Sequence, residues 1–475
     1  MDLQKVSKRK RKVIEANDKI AGKRDRYIRR NRYYYDDLLK FFSYNIPTNT
    51  SVLEIGCATG EIIGNLNVAH GTGIDISPRM IEIAQKKYPH LVFYTMDAEN
   101  LALDQTFDYI IISDTLGYFE DIQQAFELLL KVTHAGTRII ITYHNFMWQP
   151  FLKIAEILRL KMPQKRLNWL NETDINNILH IAGLEIVKQG RRFLFPKYLP
   201  LISWFMNKYI AHLPLINSVC LTGYSIARKA SASMNKPSVS IIIPARNEKG
   251  NIKRAVEKIP EMGTHTEIIF IEGHSSDGTL EEIQNVAASA APGRDISYAV
   301  QNGRGKGDAV RLGFSMAKND ILMILDADLT VDPSELPKFF DALAGGAGEF
   351  VNGSRLVYPM EKEAMQTLNM FGNKFFSTMF SWILGQRLKD TLCGTKVLSR
   401  ENWKKIEANR SYFGEFDPFG DFDMLFGAAK LNLKIVEVPV RYRARTYGTT
   451  NISRFRHGLL LFEMMLFAMN KIKFA

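Results

Sequence analysis

The sequence predicts an α/β protein with two domains, each built around a doubly wound, mostly parallel sheet. In both halves of the chain, short apolar runs alternate with amphipathic helical segments, which is the pattern of consecutive βαβ units. The length of 475 residues also suits domains of about 150–200 residues. Residues 230–237 are small and polar and end in a proline, so we expect a linker between domains at 1–229 and 238–475.

The composition narrows the expected partners and location. None of the three cysteines lies in a CxxC pair, which indicates neither a disulfide framework nor a zinc site and favours a reducing compartment. The amino terminus is charged and lacks the apolar core of a secretory signal. The net charge of +12 suits an anionic membrane face better than nucleic acid, because no nucleic-acid-binding module is recognisable. We therefore expect a cytoplasmic protein, peripheral at the inner face of a membrane.

Several segments bear on this membrane interpretation. Residues 193–223, 368–384 and 459–469 are apolar but contain Pro, Lys, Asn or Glu, and no run reaches the ~18–20 apolar residues of a spanning helix. Burial or seating at a membrane interface is therefore expected for them. Residues 4–42 are highly charged and predict a helix, either with a solvated face or as a basic arm for RNA.

In the first half, the stretch SVLEIGCATGEIIGNL predicts a strand at 51–55, a glycine turn and a helix. Gly56 and Gly60 allow a tight turn and a close approach to a ligand, and the start of a helix offers free N–H groups. Asp75 ends a second predicted strand, where a ribose-binding acid belongs in a dinucleotide-type fold. The spacing of Glu54, Gly56 and Gly60 departs from the GxGxxG pattern of nicotinamide binders.

This pattern resembles motif I of class I S-adenosylmethionine-dependent methyltransferases, and the resemblance covers roughly residues 30–229. Met80 follows Asp75 as in the GIDxSxxM sequences of that family, and the segment 93–101 looks like the one that flanks the adenine. The resemblance implies a Rossmann-like fold that binds S-adenosylmethionine through Glu54, Gly56, Gly60, Asp75, Met80, Asp97 and Ala98.

Transfer of a methyl group to a hydroxyl needs an acceptor held in line and a base that removes its proton. Three residues near the expected cofactor are candidates for this base: Asp114, Tyr118 and His144. Each also has a structural alternative, and a histidine that follows a strand is often a capping or loop residue. The acceptor is left open.

The second half is organised around the apolar run 321–325, followed by Asp326 and Asp328. Five apolar residues in a row predict a buried parallel strand, and ligands gather at the carboxyl ends of such strands. Two carboxylates one residue apart can share Mg²⁺, which takes one or two protein carboxylates together with phosphate oxygens. The alternative is a strand that ends in a solvated acidic turn.

Polar residues at the neighbouring predicted strand ends suit a nucleotide. Together with Asp326-Ala327-Asp328 they resemble family 2 glycosyltransferases of the GT-A fold, which transfer sugars with inversion from nucleotide-diphosphate donors. The resemblance implies Mg²⁺ or Mn²⁺ on Asp326 and Asp328. It also implies a nucleotide-sugar site formed by Pro244, Ala245, Asn247, Glu248, Glu272, Asp277, Lys306 and Asp326. Glu272-Gly273 replaces the usual paired aspartate of the family, so base or ribose specificity does not carry over.

Residues 368–400 narrow this resemblance to polyprenyl-phosphate hexosyltransferases of the dolichol-phosphate mannosyltransferase type. The helix predicted at 370–384 is either interfacial or a core helix. Asp421, Asp423 and an arginine-rich loop resemble the acceptor side, and arginine forks suit phosphate oxygens. The resemblance implies a polyprenyl phosphate or glycan acceptor bound by Lys396, Arg441, Arg443 and Arg445. Asp390 or Asp421 then orients the acceptor, or takes its proton if it is a hydroxyl.

The sequence thus predicts a bifunctional enzyme, a methyltransferase fused to a metal-dependent glycosyltransferase. The main alternative is a scaffold in which one half has lost its chemistry and only binds a glycan or a partner protein. A second alternative is a methyltransferase that acts on RNA through the basic amino terminus.

Overall fold

A computed structural model describes residues 7–164, 168–230, 233–358, 367–414, 420, 422–448 and 454–474. The chain forms two compact units, the first of which ends at Ala230. Each unit contains one seven-stranded sheet with helices packed on it. The predicted α/β class is confirmed.

The first unit begins with two helices, α1 (Lys8–Arg30) and α2 (Arg32–Asn45). Its strands are β1 (Ser51–Ile55), β2 (His70–Asp75), β3 (Val92–Thr95), β4 (Phe107–Ser113), β5 (Thr133–His144), β6 (Leu184–Arg192) and β7 (Thr222–Lys229). The remaining α-helices are α3 (Pro78–Lys87), α4 (Ile122–Leu129), α5 (Gln149–Ile157), α6 (Glu172–Ile181), α7 (Ile202–Lys208) and α8 (Pro214–Asn217). The strand order is β3-β2-β1-β4-β5-β7-β6, and β7 runs in the opposite direction to the other six strands.

The central strands of this sheet are apolar on both faces because helices cover both. On one face, Leu53 and Ile110 belong to a buried cluster with Phe126 of α4. On the other face, Val52 belongs to a cluster with Phe42 of α2. Both faces of the sheet are therefore covered, and polar side chains reach a ligand at its carboxyl edge.

Two sequence predictions for this unit need correction. The single helix expected over 4–42 is two helices that meet at Asn31. The α-helix expected after the glycine turn is also wrong, because residues 58–62 form turns and only a short 3₁₀ segment, Ile63–Asn65, follows. Gly60 has a φ of +75°, and Gly60 and Gly64 both have low helix propensity, so a regular helix is disfavoured here.

The second unit repeats the same general architecture. Its strands are β8 (Val239–Ala245), β9 (Thr266–Glu272), β10 (Asp295–Val300), β11 (Ile321–Ile324), β12 (Phe350–Ser354), β13 (Lys396–Ser399) and β14 (Ile435–Pro439). Its helices are α9 (Lys249–Lys258), α10 (Thr279–Ala288), α11 (Lys306–Met316), α12 (Leu336–Ala344), α13 (Thr367–Leu384), α14 (Arg400–Ala408), α15 (Phe422–Lys430) and α16 (Arg454–Ala468). The order is β10-β9-β8-β11-β13-β12-β14, and β13 is antiparallel to both neighbours.

The helix α13 settles one of the alternatives left open by the sequence. Phe380, Ile383 and Leu384 are buried in the same cluster as Met464 of α16, so the carboxyl-terminal part of α13 is a core helix. Phe375, one turn earlier, is half exposed. None of the helices in the described residues combines the length and apolarity needed to cross a membrane.

Candidate active sites

The first site is a cavity of about 360 Å³ at the carboxyl edge of the sheet in the first unit. This volume lies at the small end of the range for ligand pockets. Of the seven cofactor-binding residues predicted from the sequence, six line it: Glu54, Gly56, Asp75, Met80, Asp97 and Ala98. Gly60 is not among the lining residues, and a Cβ there would lie 3.1 Å from the rings of Tyr88 and Phe93.

The acids of this cavity are oriented by backbone N–H groups. The Asp75 carboxylate accepts hydrogen bonds from Ala58 N (2.9 Å) and Ser77 N (2.8 Å). The Glu54 carboxylate accepts one from Ile63 N (3.0 Å). Burial raises the pKa of Asp75 and raises the pKa of Glu54 to about 8. The turn after β1 therefore fixes both carboxyl groups against the cavity before any ligand binds.

The helix α1 supplies cavity residues that the motif spacing did not reveal. Lys10 forms an ion pair with Asp97 and a second with Glu99 (2.9 Å). The basic amino-terminal helix is thus partly buried against the site and is not only a solvated face.

Arg24, two turns before the end of α1, also lines the cavity. Its Nε atom is buried and has no hydrogen-bond partner, and its Nη1 atom lies 3.9 Å from Met162 Sδ. A guanidinium whose buried N–H has no partner in the chain suits a carboxylate ligand. The amino-acid part of S-adenosylmethionine carries such a carboxylate.

Two of the three candidate bases contact each other in the same cavity. His144 Nδ1 lies 3.2 Å from Asp114 Oδ1. The hydroxyl of Tyr34, on α2, donates to Asp114 Oδ2 at 2.5 Å. Asp114 has a φ of +53°, a conformation that costs energy for a residue with a side chain. The third candidate, Tyr118, also lines the cavity. The structure therefore pairs His144 with Asp114 and adds Tyr34, which the sequence did not single out.

The second site lies at the carboxyl edge of the sheet in the second unit, where Asp326 and Asp328 follow β11. Lys306, the first residue of α11, places its Nζ atom 2.6 Å from Asp326 Oδ1. Burial opposes ionisation of Asp326, but the Lys306 ammonium holds the pKa of that carboxyl below its ordinary value. Asp328 accepts hydrogen bonds from the backbone and hydroxyl of Thr330 and is 2.6 Å from Arg445 Nη2. Each acid is therefore already paired with a cation of the chain.

The predicted nucleotide-binding residues lie on adjoining loops. Asn247 accepts a hydrogen bond from Ser276 N (2.9 Å), and Asp277 accepts one from Lys249 N (3.2 Å), so these hydrogen bonds join the loops that follow β8 and β9. Pro244 and Ala245 end β8 beside them.

Glu248 and Glu272 differ in what they contact. Glu248 lies 3.2 Å from Arg445. Glu272 is 3% exposed and accepts hydrogen bonds from the backbone of His274 and Ser275. Glu272 therefore stabilises the loop that follows β9, and its side chain is not open to solvent.

The three arginines predicted to bind phosphate have different partners. Arg445 reaches Asp328 and Glu248, whereas Arg443 pairs with Asp332 at 2.9 Å. Arg441 stacks on the ring of Tyr358, with 5.6 Å from its guanidinium carbon to the ring centroid. Only Arg445 contacts an acid of the Asp326–Asp328 motif among the contacts of these arginines that the structure describes.

Two predicted site residues are buried in structural roles. Asp390 has no exposed surface and forms a two-point pair with Arg355, at 2.6 and 2.8 Å. A carboxylate held this way by a guanidinium is not free to take a proton from a substrate, and a role of Asp390 in orienting the acceptor stays a prediction. Lys396 is also fully buried and donates to Cys393 O (2.6 Å), so it does not reach an acceptor directly.

The remaining acidic candidates lie on or near α15. Asp421 is outside the described residues, so its role stays a prediction. Asp423 is 2.9 Å from Arg410 and 3.9 Å from Arg311. Asp423 therefore forms ion pairs with arginines on α11 and on the segment after α14.

Comparisons with known proteins match a family to each half of the chain. The family described as Methyltransferase domain matches residues 27–189, and Glycosyl transferase family 2 matches residues 240–405. Glycosyltransferase AglJ of Haloferax volcanii is 30% identical over 227 residues, which cover 47% of this chain and 70% of that protein. The dolichol-phosphate mannosyltransferase of Pyrococcus furiosus is 33% identical over 234 residues, covering 48% and 61%. The malonyl-[acyl-carrier protein] O-methyltransferase of Bacillus anthracis is 28% identical over 155 residues, covering 30% and 56%.

These matches define an enzyme with two transferase domains. The second half of the chain belongs to glycosyl transferase family 2, and the first half contains a methyltransferase domain. The chain spans between about half and 70% of the length of the three relatives named above.

Arg24→Gln tests whether the buried guanidinium binds the amino-acid end of the cofactor. We expect the affinity for S-adenosylhomocysteine to fall by roughly 10- to 100-fold, because hydrogen bonds to charged groups contribute about 1.5–3 kcal/mol. The affinity for methylthioadenosine, which lacks the amino-acid carboxylate, should be unchanged. Isothermal titration calorimetry measures both ligands, with Arg26→Gln on the exposed side of α1 as the control. Equal losses for the two ligands would contradict the assignment.

Gly394→Ala tests the packing behind Asp326. A Cβ at position 394 would overlap Asp326 Oδ2 and lie 2.6 Å from Lys306 Nζ, so the carboxylate must move. We expect sugar transfer to fall by at least about tenfold, which corresponds to ~1.4 kcal/mol of lost transition-state stabilisation. The matched control is Gly458→Ala in α16, where a Cβ meets nothing within 4 Å. Sugar transfer at the wild-type rate by Gly394→Ala would show that the activity does not depend on the present position of the Asp326 carboxylate.

Proposed function

We propose that the chain is bifunctional. In this proposal the first unit transfers a methyl group from S-adenosylmethionine to a hydroxyl. The second unit transfers a sugar, with inversion and a divalent cation, from a nucleotide-diphosphate sugar to polyprenyl phosphate or a cell-surface glycan. The observation that carries the first activity is the His144–Asp114 pair inside the cofactor cavity. For the second it is the pairing of Asp326 with Lys306 and of Asp328 with Arg445.

The methyltransferase residues support a general-base mechanism. When bound, S-adenosylmethionine supplies a methyl group on a sulfonium centre. Because Nδ1 of His144 faces Asp114, Nε2 is the atom that takes the proton of the acceptor hydroxyl. The Asp114 carboxylate, 3.2 Å from Nδ1, stabilises the imidazolium that forms, and Tyr34 holds the other oxygen of that carboxylate.

The glycosyltransferase residues fit a cation that is shared with the substrate. Within the described part of the chain, no group of three or more His, Cys, Asp and Glu side chains could hold a metal ion alone. Asp326 and Asp328 would instead hold Mg²⁺ or Mn²⁺ together with diphosphate oxygens. When bound, the cation offsets the charge that develops on the leaving nucleotide. Lys306 adds a positive charge at the same edge, and Arg445 brings a planar fork that suits a phosphate.

The acceptor and the location are proposed from the relatives and from one exposed surface. The relative from Pyrococcus furiosus is named a dolichol-phosphate mannosyltransferase, which supports a polyprenyl phosphate acceptor. On α16, Leu459, Phe462 and Leu466 are exposed and follow the i, i+3, i+7 spacing of one helix face. Together with the net charge of +12, this face supports peripheral binding at the cytoplasmic surface of a membrane.

His144→Gln and Asp114→Asn test the proposed base. We expect both variants to lose about 10²- to 10⁴-fold in methyl transfer, because general-base catalysis contributes about that much. Binding of S-adenosylhomocysteine should stay within about twofold of wild type. Tyr118→Phe tests the third candidate base, and this variant should keep most of the methyl-transfer activity. Labelled S-adenosylmethionine, supplied with membrane lipid and soluble glycans of the source cells, reports the rates. Loss in Tyr118→Phe with retention in His144→Gln would move the base to Tyr118.

Asp328→Asn tests the proposed sugar transfer. The wild-type chain should transfer label from one member of a panel of nucleotide sugars to polyprenyl phosphate with Mg²⁺ or Mn²⁺, and a chelator should stop it. We expect Asp328→Asn to lose at least about 10²-fold, and Asp341→Asn, an exposed acid on α12, to match wild type. Transfer that persists in Asp328→Asn and with chelator would contradict metal-dependent transfer through this motif.

A further inference from the structure

The opening of the cofactor cavity in the first unit is bordered by exposed apolar side chains. More than half of the large apolar side chains that the described residues expose lie in two segments, 146–158 and 198–219. Phe151 lines the cavity and is 63% exposed, so it marks the opening. Pro196 and Lys197, just before the second segment, also line the cavity. We call these two exposed segments the collar.

Hydrogen bonds join the start of the first collar segment to the end of the second. Trp148 Nε1 donates to Val219 O at 2.9 Å. Asn145 Nδ2 donates to Ser218 O and to Cys220 O, both at 2.9 Å. These bonds fix α5 beside the end of the second segment. The apolar residues are therefore presented together and not on two independent loops.

The exposure of the collar is too high for a solvated surface. Leu201 is 81% exposed, Leu215 is 89% exposed and Ile157 is 79% exposed. Single exposed apolar residues are normal, but a concentration of exposed apolar side chains in two segments that are joined to each other marks a binding surface. Tyr198 and Trp204 add exposed aromatic rings, which are enriched where a protein meets the interface of a bilayer.

The charges of the collar indicate which kind of surface it binds. Lys153, Arg159, Lys197 and Lys208 lie within or beside the two segments. The sole acid of these segments, Glu156, pairs with Lys161 at 3.1 Å. The result is an apolar surface with an excess of positive charge, which complements an anionic lipid headgroup layer.

We propose that the collar seats on an anionic lipid bilayer and that the methyl acceptor is an amphipathic, lipid-anchored molecule that enters the cavity from that bilayer. This inference rests on the proposed methyl transfer and names the substrate class of that same site. The cavity suits such a molecule. Its lining includes the apolar residues Phe151, Leu152, Leu160 and Met162 from the collar and the residues that follow it, and it also includes Lys197 and the pair His144 and Asp114. The anchor thus stays at the lipid while the hydroxyl reaches the base.

Vesicle binding tests the docking step with the full chain. Leu201→Asp/Leu215→Asp removes two side chains that pack against little protein, so folding should be retained. The matched control is Ile181→Asp, at 63% exposure on α6 and outside the collar. In flotation with phosphatidylcholine vesicles that contain 30% phosphatidylglycerol, we expect the double variant to bind at least about tenfold more weakly than wild type and the control. Quenching of tryptophan fluorescence by brominated acyl chains should fall in Trp204→Phe. Equal binding by all variants overturns the proposal.

Methyl transfer tests the acceptor class separately. Labelled S-adenosylmethionine is supplied with vesicles made from the total membrane lipid of the source cells, or with water-soluble glycans released from it. Label in the lipid fraction that falls at least about fivefold in the double variant supports the inference. Label only in the soluble glycans, at equal rates in all variants, overturns it while the proposed methyltransferase stands. Collar-dependent vesicle binding without methyl transfer to either pool supports the docking site and instead contradicts the proposed function. Self-association abolished by the double variant, with no vesicle binding, assigns the collar to a second copy of the chain and overturns the proposal.

Discussion

In both units, carboxylates are concentrated at the carboxyl edge of a sheet, and taking them out of water costs free energy. A buried carboxylate is unstable unless hydrogen bonds or an opposite charge compensate it. In the first unit, Asp97 is paired with Lys10. In the second unit, Asp326 is paired with Lys306 and Asp328 with Arg445. Each site is therefore assembled as an ion pair of the chain, and a charged ligand must exchange with that pair.

This exchange explains why cations from distant parts of the chain converge on the sites. Lys10 comes from the first helix and Arg445 from a loop near the end of the chain, yet both contact acids at strand ends. If either cation were removed, the acid beside it would lose the opposite charge that compensates it. Solvent accessibility distinguishes the acids that have a structural role from the acids of a ligand site. Asp390 keeps its partner, Arg355, with no route to solvent, whereas Asp326 and Asp328 are partly accessible.

The sequence predicted the parts of both sites that follow directly from strands. Apolar runs followed by acids placed Asp75 and Asp326 at sheet edges, because a parallel strand has a characteristic composition and ends where ligands gather. It did not predict Arg24 or Tyr34, since a residue on a helix carries no local sign of which strand end it packs against. Nor could it separate Asp390 from the acids of an open site, because burial depends on contacts distant in sequence. The helix expected after the glycine turn does not form, because the glycines at positions 60 and 64 have low helix propensity.

The competition between a protein cation and a bound cation for Asp328 tests this account most directly. Mn²⁺ binding is measured by titration calorimetry without nucleotide, on the wild-type chain and on Arg445→Gln. If Arg445 compensates Asp328 in place of the metal, the variant should bind Mn²⁺ about tenfold more tightly, a difference of ~1.4 kcal/mol. An unchanged or weaker affinity would show that the pair does not compete with the metal, and would contradict the view that the ligands of this chain bind by exchange with its own ion pairs.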